Sequence, residues 1–95
     1  MTKSELIDAL AERRGIPRQI AEEVVHTFFE QMKETLCEGG RIEFRGFGSF
    51  KVRDYPAYIG RNPRTLERIQ VPPKRLPVFK VSKLMKIQLN QTLEG

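Results

Sequence analysis

The hydrophobic period of this chain changes at Gly39-Gly40, and that change limits its fold more than any other feature. Before the glycine pair, apolar residues recur at spacings of three and four, which is the period of one helix face. They are Ile20, Ala21, Val24, Val25, Phe28, Phe29, Met32 and Leu36. After the pair, apolar and polar residues alternate, as in a β-strand. This order predicts an α+β fold, and 95 residues suffice for a single domain, residues 1–95.

Local signals predict two helices in residues 1–40. Thr2-Lys3-Ser4-Glu5 has the form of a capping box, in which Thr or Ser is followed three residues later by Glu. Gly15 supplies a stop for this first helix. Pro17 suits the opening of a second helix, because its missing N–H costs nothing there, and Gly39-Gly40 ends that helix. The short connection predicts an antiparallel helix hairpin.

Residues 41–81 are predicted to form a three-stranded antiparallel sheet, and residues 82–93 a short C-terminal helix that Ser82 can cap. The alternating stretches are 41–45, 49–53, 68–71 and 76–79. Between about residues 53 and 75 few large apolar residues are available to join a core. Prolines stand at positions 56, 63, 72, 73 and 77. Because proline is acceptable on edge strands and both strands of a ribbon are edges, the prediction is a long protruding β-ribbon arm. A disordered loop is the alternative.

The distribution of phenylalanine predicts a dimer. All six phenylalanines lie outside the arm, at positions 28, 29, 44, 47, 50 and 79. A layer of two helices over three short strands leaves one apolar face uncovered. A second copy of the chain would cover that face, with residues 1–40 as the dimerisation region. The alternative is that these side chains form the core of a monomer.

The charge of the chain is unevenly distributed. The net charge is +5, yet residues 1–40 carry five basic and eight acidic side chains, a net charge of −3. Residues 41–95 carry twelve basic and four acidic side chains, a net charge of +8. A strongly basic half predicts a polyanionic partner, and a solvated basic face that binds nothing is the alternative.

Several classes of protein are not supported by the sequence. No run of about 18 apolar residues is present, so no membrane span is predicted, and the N-terminus has no secretory apolar core. Cys37 and His26 are single and lack metal-ligand neighbours, which predicts a reduced, cytoplasmic protein without a metal or cofactor. Ser49 and Ser82 have no credible histidine partner, and no phosphate-binding loop of the Walker type occurs. We therefore expect no enzymatic activity.

The arm carries its charge around a rigid apolar residue. Arg61, Arg64 and Arg68 surround Pro63. Arg53, Lys74 and Arg75 stand towards the base of the arm, and Tyr55 and Tyr58 are available for stacking or sugar contacts. An apolar wedge in a cationic setting can enter the minor groove of DNA and separate a pair of stacked base pairs, which kinks the duplex. The pattern predicts this role for Pro63.

Over residues 1–90 the chain resembles a known family, the bacterial HU and integration host factor proteins. The resemblance is carried by Gly46-Phe47-Gly48-Ser49-Phe50, Gly60-Arg61-Asn62-Pro63-x-Thr65, Pro77-x-Phe79 and Thr2-Lys3-Ser4-Glu5-Leu6-Ile7. It implies an intertwined, nucleoid-associated dimer whose two arms wrap the minor groove and insert two prolines. Because nicked or gapped DNA is already partly unstacked, a proline wedge also predicts a preference for bent, nicked or gapped duplex DNA.

The resemblance assigns roles to individual residues. Pro63 is implied to intercalate, Arg61 and Asn62 to accompany it in the groove, and Lys83 and Lys86 to meet phosphates on the flank. The full set of expected DNA-binding residues is Arg61, Asn62, Pro63, Arg64, Arg53, Tyr55, Tyr58, Arg68, Lys74, Arg75, Lys83, Lys86, Lys3 and Arg45.

The chain differs from the usual family pattern at several positions. Leu66 and Ser82 replace glycines, and Tyr55 and Tyr58 stand where arginines are common in the arm. Residues 41–50 are closer to the beta subunit of integration host factor than to typical HU. Glu43 and Arg45, two apart on one predicted strand face, could lend sequence preference, or they could be a surface ion pair worth under ~1 kcal/mol.

The sequence is compatible with three functions. The leading interpretation is an HU-like homodimer with weak sequence preference that bends and compacts DNA. The alternative within the family is an integration host factor-like subunit, paired with a paralogous subunit at specific sites. The alternative from a different class is a structural dimer module that binds RNA or another acidic partner.

Overall fold

The computed structural model describes residues 1–94, in two units: residues 1–38, and the residues from Gly39 onward. The first unit contains helices α1, Lys3–Arg14, and α2, Arg18–Cys37. The second contains strands β1, Ile42–Phe44; β2, Gly48–Tyr55; β3, Tyr58–Arg61; β4, Arg68–Val71; and β5, Lys74–Val81; it ends in helix α3, Lys83–Glu94. The predicted α+β fold class is confirmed.

The ends of α1 and the start of α2 follow from the capping residues in the sequence. The Glu5 amide donates to Thr2 Oγ1 at 3.1 Å, as a capping box requires. Gly15 ends α1 in the left-handed conformation, at φ 61°, and its N–H donates to the Ala11 carbonyl. Pro17 precedes α2, and its carbonyl oxygen accepts from the Ala21 amide at 3.1 Å. The predicted start and end of α1 and the predicted start of α2 are therefore confirmed. Each depends on residues that are close together in the sequence.

Arg18 joins the two helices. Its Nε donates to Asp8 Oδ1 at 2.7 Å, and its Nη2 donates to Ser4 Oγ at 3.1 Å, both on α1. The hydrogen bond to Asp8 is the main reason that the pKa of the Arg18 guanidinium is raised from its ordinary value. The first residue of α2 therefore orients this helix against α1.

The core of the helical unit is small. Within residues 1–94 the buried hydrophobic side chains are Ile7, Ala21 and Val25, all three in this unit. Partly buried side chains pack against them: Leu6, Leu10, Ala11, Ile16 and Phe29. A row spaced four apart on α2 stays substantially exposed, at 46% for Ile20, 51% for Val24 and 44% for Phe28. The chain by itself leaves much of its apolar surface uncovered.

The sheet has the strand order β1-β2-β5, and all its pairs are antiparallel. β2 and β5 pair over eight residues, from Gly48 opposite Val81 to Tyr55 opposite Lys74. β3 and β4 form a separate two-stranded ribbon. The predicted three-stranded sheet with a β-ribbon is therefore present, and between Pro56 and Lys74 the side chains are exposed or half-buried.

The sequence predicts three strands, and the structure divides them into five segments. The pairing stops after Tyr55 and Lys74 and resumes at Tyr58 and Val71. The intervening residues are Pro56-Ala57 on one side and Pro72-Pro73 on the other. Three of these four residues are prolines without an N–H to donate, so they interrupt the ladder in both strands at the same level.

Aromatic rings line one region of the sheet unit. The Phe50 ring centroid lies 4.7 Å from that of Phe79, and the Phe79 centroid lies 5.4 Å from that of Phe47. Phe47 and Phe79 nevertheless remain 47% and 43% exposed.

α3 begins after Ser82, whose Oγ accepts from the Met85 amide at 3.1 Å. None of the helices in residues 1–94 has the length and apolar content needed to cross a membrane.

Gly48 lies where β2 packs closely against the backbone and a side chain of β5. A Cβ at this position would lie 2.6 Å from the Lys80 carbonyl oxygen and 2.6 Å from the Phe79 ring. A backbone oxygen cannot move aside without disturbing the ladder, so only glycine fits here.

Gly48→Ala should therefore destabilise the protein by about 1–3 kcal/mol, the usual range for overpacking. Thermal unfolding followed by circular dichroism would measure this loss. Gly60→Ala is the matched control, because a Cβ there would meet its nearest neighbours at an ordinary 3.5 and 3.8 Å. Equal unfolding temperatures for the two variants would contradict the assignment of Gly48.

Candidate nucleic-acid interface

The tip of the ribbon is a closed turn, here called the tip loop, residues 62–67. The Asn62 amide donates to the Glu67 carbonyl at 3.0 Å, and the Leu66 amide donates to the Asn62 carbonyl at 2.8 Å. The Asn62 side chain also accepts from the Arg64 amide, at 2.9 Å. Asn62 therefore orders the loop through three hydrogen bonds, which hold the exposed Pro63 between its neighbours.

Leu66 is the one non-glycine residue in residues 1–94 with a positive φ, at 60°. The left-handed conformation costs an L-residue with a Cβ roughly 1–2 kcal/mol. This is the position where the sequence departs from the glycine that is usual in the family it resembles. The turn keeps the conformation that suits glycine, and Leu66 adopts it with strain.

The two strands of the ribbon place positive charges opposite each other. Arg61 of β3 pairs in register with Arg68 of β4, so both side chains lie on the same face. Like charges directly opposite each other destabilise a ribbon unless an anion lies near them. Tyr58, which is 58% exposed, and Val71 share the opposite face. One face of the ribbon is thus cationic at its tip, and the other is largely apolar.

The base of the ribbon is held by two contacts between neighbouring strands. Lys74 Nζ lies 5.9 Å from the centroid of the Tyr55 ring, which is a cation–π contact. Asp54 Oδ1 accepts from Arg75 Nε at 2.7 Å, in a pair that is largely exposed. Arg53 is also exposed in this region, on β2 opposite Leu76. The charge of Arg75, which is predicted to bind DNA, is therefore partly neutralised by Asp54.

A second concentration of positive charge lies at the opposite end of the sheet. An open groove of about 770 Å³, here called the basic groove, is formed where β1, β2, β5 and the start of α3 meet. Its lining includes five basic side chains and one acidic one, namely Arg41, Arg45, Lys80, Lys83, Lys86 and Glu43. The predicted residues Arg45, Lys83 and Lys86 are brought together here.

The expected arrangement of Glu43 and Arg45 is corrected by the structure. The sequence predicts them two apart on one strand face, but β1 ends at Phe44, and Arg45 lies in the turn that follows. The turn forms because the Phe47 amide donates to the Phe44 carbonyl and Gly46 takes φ 84°. The Glu43 carboxylate instead lies 3.9 Å from Arg41 Nη2. Glu43 and Arg45 share the basic groove, not a strand face.

Lys3 belongs to the helical unit, whereas the other predicted residues belong to the sheet unit. It is the first residue of α1 and lines a shallow depression with side chains of α2, namely Gln19, Glu22, Glu23 and His26. In residues 1–94 no group of three or more histidine, cysteine, aspartate or glutamate side chains is arranged to hold a metal ion.

Sequence reasoning missed two basic residues of the groove and one residue of the tip loop. Arg41 and Lys80 line the groove beside Arg45, and neither is in the set of residues expected to bind DNA from the sequence. Lys80 could have been included once β5 was paired with β2, because it lies opposite Ser49, another groove residue. Leu66 stands out in the sequence as a departure from the family pattern, but its conformation depends on the closed loop.

The family model for bacterial DNA-binding proteins matches residues 1–90. The chain belongs to this family. Its members bind DNA and form dimers, and the family is not an enzyme family. The residues that carried the resemblance thus lead to the correct family.

The relatives of this chain include both subunits of integration host factor, and its similar solved structures include HU. It is 46% identical over 91 residues to integration host factor subunit beta of Alkalilimnicola ehrlichii, covering 95% of this chain and 91% of the relative. It is 40% identical over 92 residues to integration host factor subunit alpha of Bordetella avium, covering 97% and 79%. Among solved structures, Anabaena HU in a cocrystal with DNA matches with a TM-score of 0.81 and 36% identity, covering 94% of this chain and 97% of HU.

Asp54→Asn should strengthen DNA binding, because it releases Arg75 from its ion pair and removes a negative charge from the base of the arm. The plot of log K against log salt should steepen by up to about 0.9, the contribution of one neutralised phosphate. Fluorescence anisotropy with a labelled duplex at several salt concentrations would measure both effects. Glu12→Gln makes the same change of net charge on α1. If both variants strengthened binding equally, the Asp54–Arg75 pair would have no specific role.

Proposed function

We propose that two copies of this chain bend duplex DNA by placing their arms in the minor groove and inserting Pro63 between base pairs. The observation that carries this proposal is the tip loop, in which Asn62 fixes a closed turn around an exposed proline. A wedge must be rigid, apolar and accessible, and Pro63 meets each of these requirements. It has no N–H to desolvate and loses little entropy when it is buried.

The charges around the tip loop support a polyanionic partner. Arg61 and Arg68 face each other across the ribbon, and their mutual repulsion falls when both lie near phosphates or in the negative potential of a narrow groove. Arg64 adds a third positive charge from within the loop. Unstacking adjacent base pairs costs a few kcal/mol per step, and this cost is offset by the additional contacts that a bent duplex makes with the protein.

The basic groove supports a second contact with the backbone of the same bent duplex. Lys83 and Lys86 lie on α3 one turn apart, and Arg45 joins them from the turn after β1. Phosphate contacts of this kind position a protein on DNA without reading its sequence. We infer that DNA bent at the arms meets this groove on its flank, and that Arg45, Lys83 and Lys86 act together with the arm in this way.

The exposed apolar side chains support a dimer, with residues 1–40 as its main source of contacts. Ile20, Val24 and Phe28 form an exposed row on α2, and Phe47 and Phe79 are exposed in the sheet unit. Contiguous apolar surface on a small soluble protein is the usual mark of a protein partner. The proposal includes location in the nucleoid, and it involves no cofactor and no catalysed reaction.

The leading form of this proposal is an HU-like homodimer with weak sequence preference. Phosphate contacts and an intercalating proline require no particular base sequence. A second candidate is an integration host factor-like subunit, which is favoured by the 46% identity to a beta subunit and 40% identity to an alpha subunit. Under that candidate, Glu43 and its neighbours in the basic groove would contribute to recognition of particular sites.

Assembly and binding measured together would separate these candidates. For the HU-like form we expect the 11.0-kDa chain alone to sediment as a dimer at micromolar concentration. That dimer should bind unrelated duplexes with similar affinities and bind nicked duplexes more tightly. A requirement for a second subunit, or strong preference for one duplex sequence, would support the integration host factor-like form instead. Tighter binding to RNA hairpins than to duplex DNA would contradict both.

Pro63→Ala should reduce the bend while leaving the salt dependence of binding nearly unchanged, because it removes most of the wedge and none of the charge. Energy transfer between dyes at the two duplex ends would report the bend. Arg61→Ala should have the opposite profile, with weaker affinity, a shallower salt dependence and a smaller effect on the bend of the remaining complex. Pro77→Ala, in β5, is the matched control. A Pro63→Ala variant that bends DNA as sharply as the parent would make Pro63 a turn residue only.

A further inference from the structure

We propose that Leu66 is a second apolar residue of the arm that contacts the minor groove, beside the step that Pro63 enters. This inference rests on the proposed function, because it takes the arm to lie in the groove. Leu66 is outside the set of residues expected to bind DNA from the sequence. Its assignment comes from its exposure, its backbone conformation and its place in the tip loop.

The exposure of Leu66 gives the first reason. Its side chain is 70% exposed, at the far end of the ribbon. Nothing in residues 1–94 buries this isobutyl group. An apolar group presented in this way gains free energy when a partner covers it, and the partner that reaches the tip loop is DNA.

The backbone gives the second reason. Leu66 holds φ at 60°, a conformation that glycine or asparagine would adopt with less strain. The closed turn enforces this conformation, since the Leu66 amide donates to the Asn62 carbonyl and the Asn62 amide donates to the Glu67 carbonyl. Strain of this kind persists where the surrounding structure over-determines it, and it is common at binding sites. The turn itself does not need a leucine side chain, so the side chain requires a separate explanation.

The position within the loop gives the third reason. The hydrogen bond between Leu66 and Asn62 closes a turn that contains Pro63, Arg64 and Thr65. Pro63 and Leu66 are therefore presented by the same short, ordered piece of backbone. Leucine is among the apolar side chains that proteins use as minor-groove wedges. When Pro63 enters between two base pairs, the groove widens locally, and an aliphatic side chain of the same turn can cover the exposed sugar and base edges.

The test compares variants that separate the side chain from the backbone conformation. Leu66→Gly relieves the strain and removes the side chain, so it should unfold at an equal or higher temperature and yet bind a nicked duplex about tenfold more weakly. Its salt dependence should not change, because no charge is lost. Leu66→Asn also suits the left-handed conformation but keeps the loop more restricted than glycine does, and it should lose the same affinity. Leu66→Met retains an apolar side chain and should bind nearly as well as the parent.

Each result decides the proposal. Affinity for the nicked duplex is measured by fluorescence anisotropy, with unfolding temperatures measured in parallel. Parental affinity in both Leu66→Gly and Leu66→Asn would overturn the contact, and so would a loss in Leu66→Gly alone, which would reflect loop flexibility. Pro63→Ala in the same assay keeps the two proposals distinct. If Pro63→Ala reduces the bend while the Leu66 variants bind normally, only the Leu66 contact fails. If the parent binds without bending DNA, the intercalation proposal fails.

Discussion

The antiparallel ladder between β2 and β5 is the interaction on which both candidate DNA contacts depend. At one end, Gly48 and Val81 bring β2 and β5 together beside the basic groove. At the other end, Tyr55 and Lys74 begin the ribbon that carries the tip loop. A shift of register by one residue would turn every side chain of these strands to the other face. The approach at Gly48, which excludes even a Cβ, helps to hold the register that joins the two ends.

The arm combines features that are unfavourable in isolation and useful in contact with a polyanion. Arg61 and Arg68 repel each other across the ribbon, Leu66 holds a strained conformation, and Pro63 is exposed. Hydrogen bonds from Asn62 and the ladder of β3 and β4 hold these features in place. Because the loop is ordered before it binds, little entropy needs to be lost on contact with DNA. The prolines that interrupt the ladder set the ribbon apart as an element of its own.

The exposed apolar side chains explain why the chain should dimerise. A chain of this size buries a smaller fraction of its surface on folding than a larger domain does, and the buried hydrophobic side chains in residues 1–94 number only three. Association would cover the exposed row on α2 and the aromatic side chains of the sheet unit. In a dimer each arm would be matched by a second one, so under the proposed function two wedges would act on one duplex.

The sequence by itself determined the helix ends, the family and the nature of the arm. Thr2, Gly15, Pro17 and Ser82 act within four residues of their own positions, so their effects can be deduced without knowing the rest of the fold. The cationic turn around Pro63 is local in the same sense.

Tertiary structure decided the features that depend on strand pairing. It paired Arg75 with Asp54, 21 residues away, and brought Lys80 into the groove. It also imposed a positive φ on Leu66, because the closed loop outweighs the preference of a single residue. The Asp54–Arg75 pair and the position of Lys80 depend on register, and register is set by the strands together rather than by any one of them.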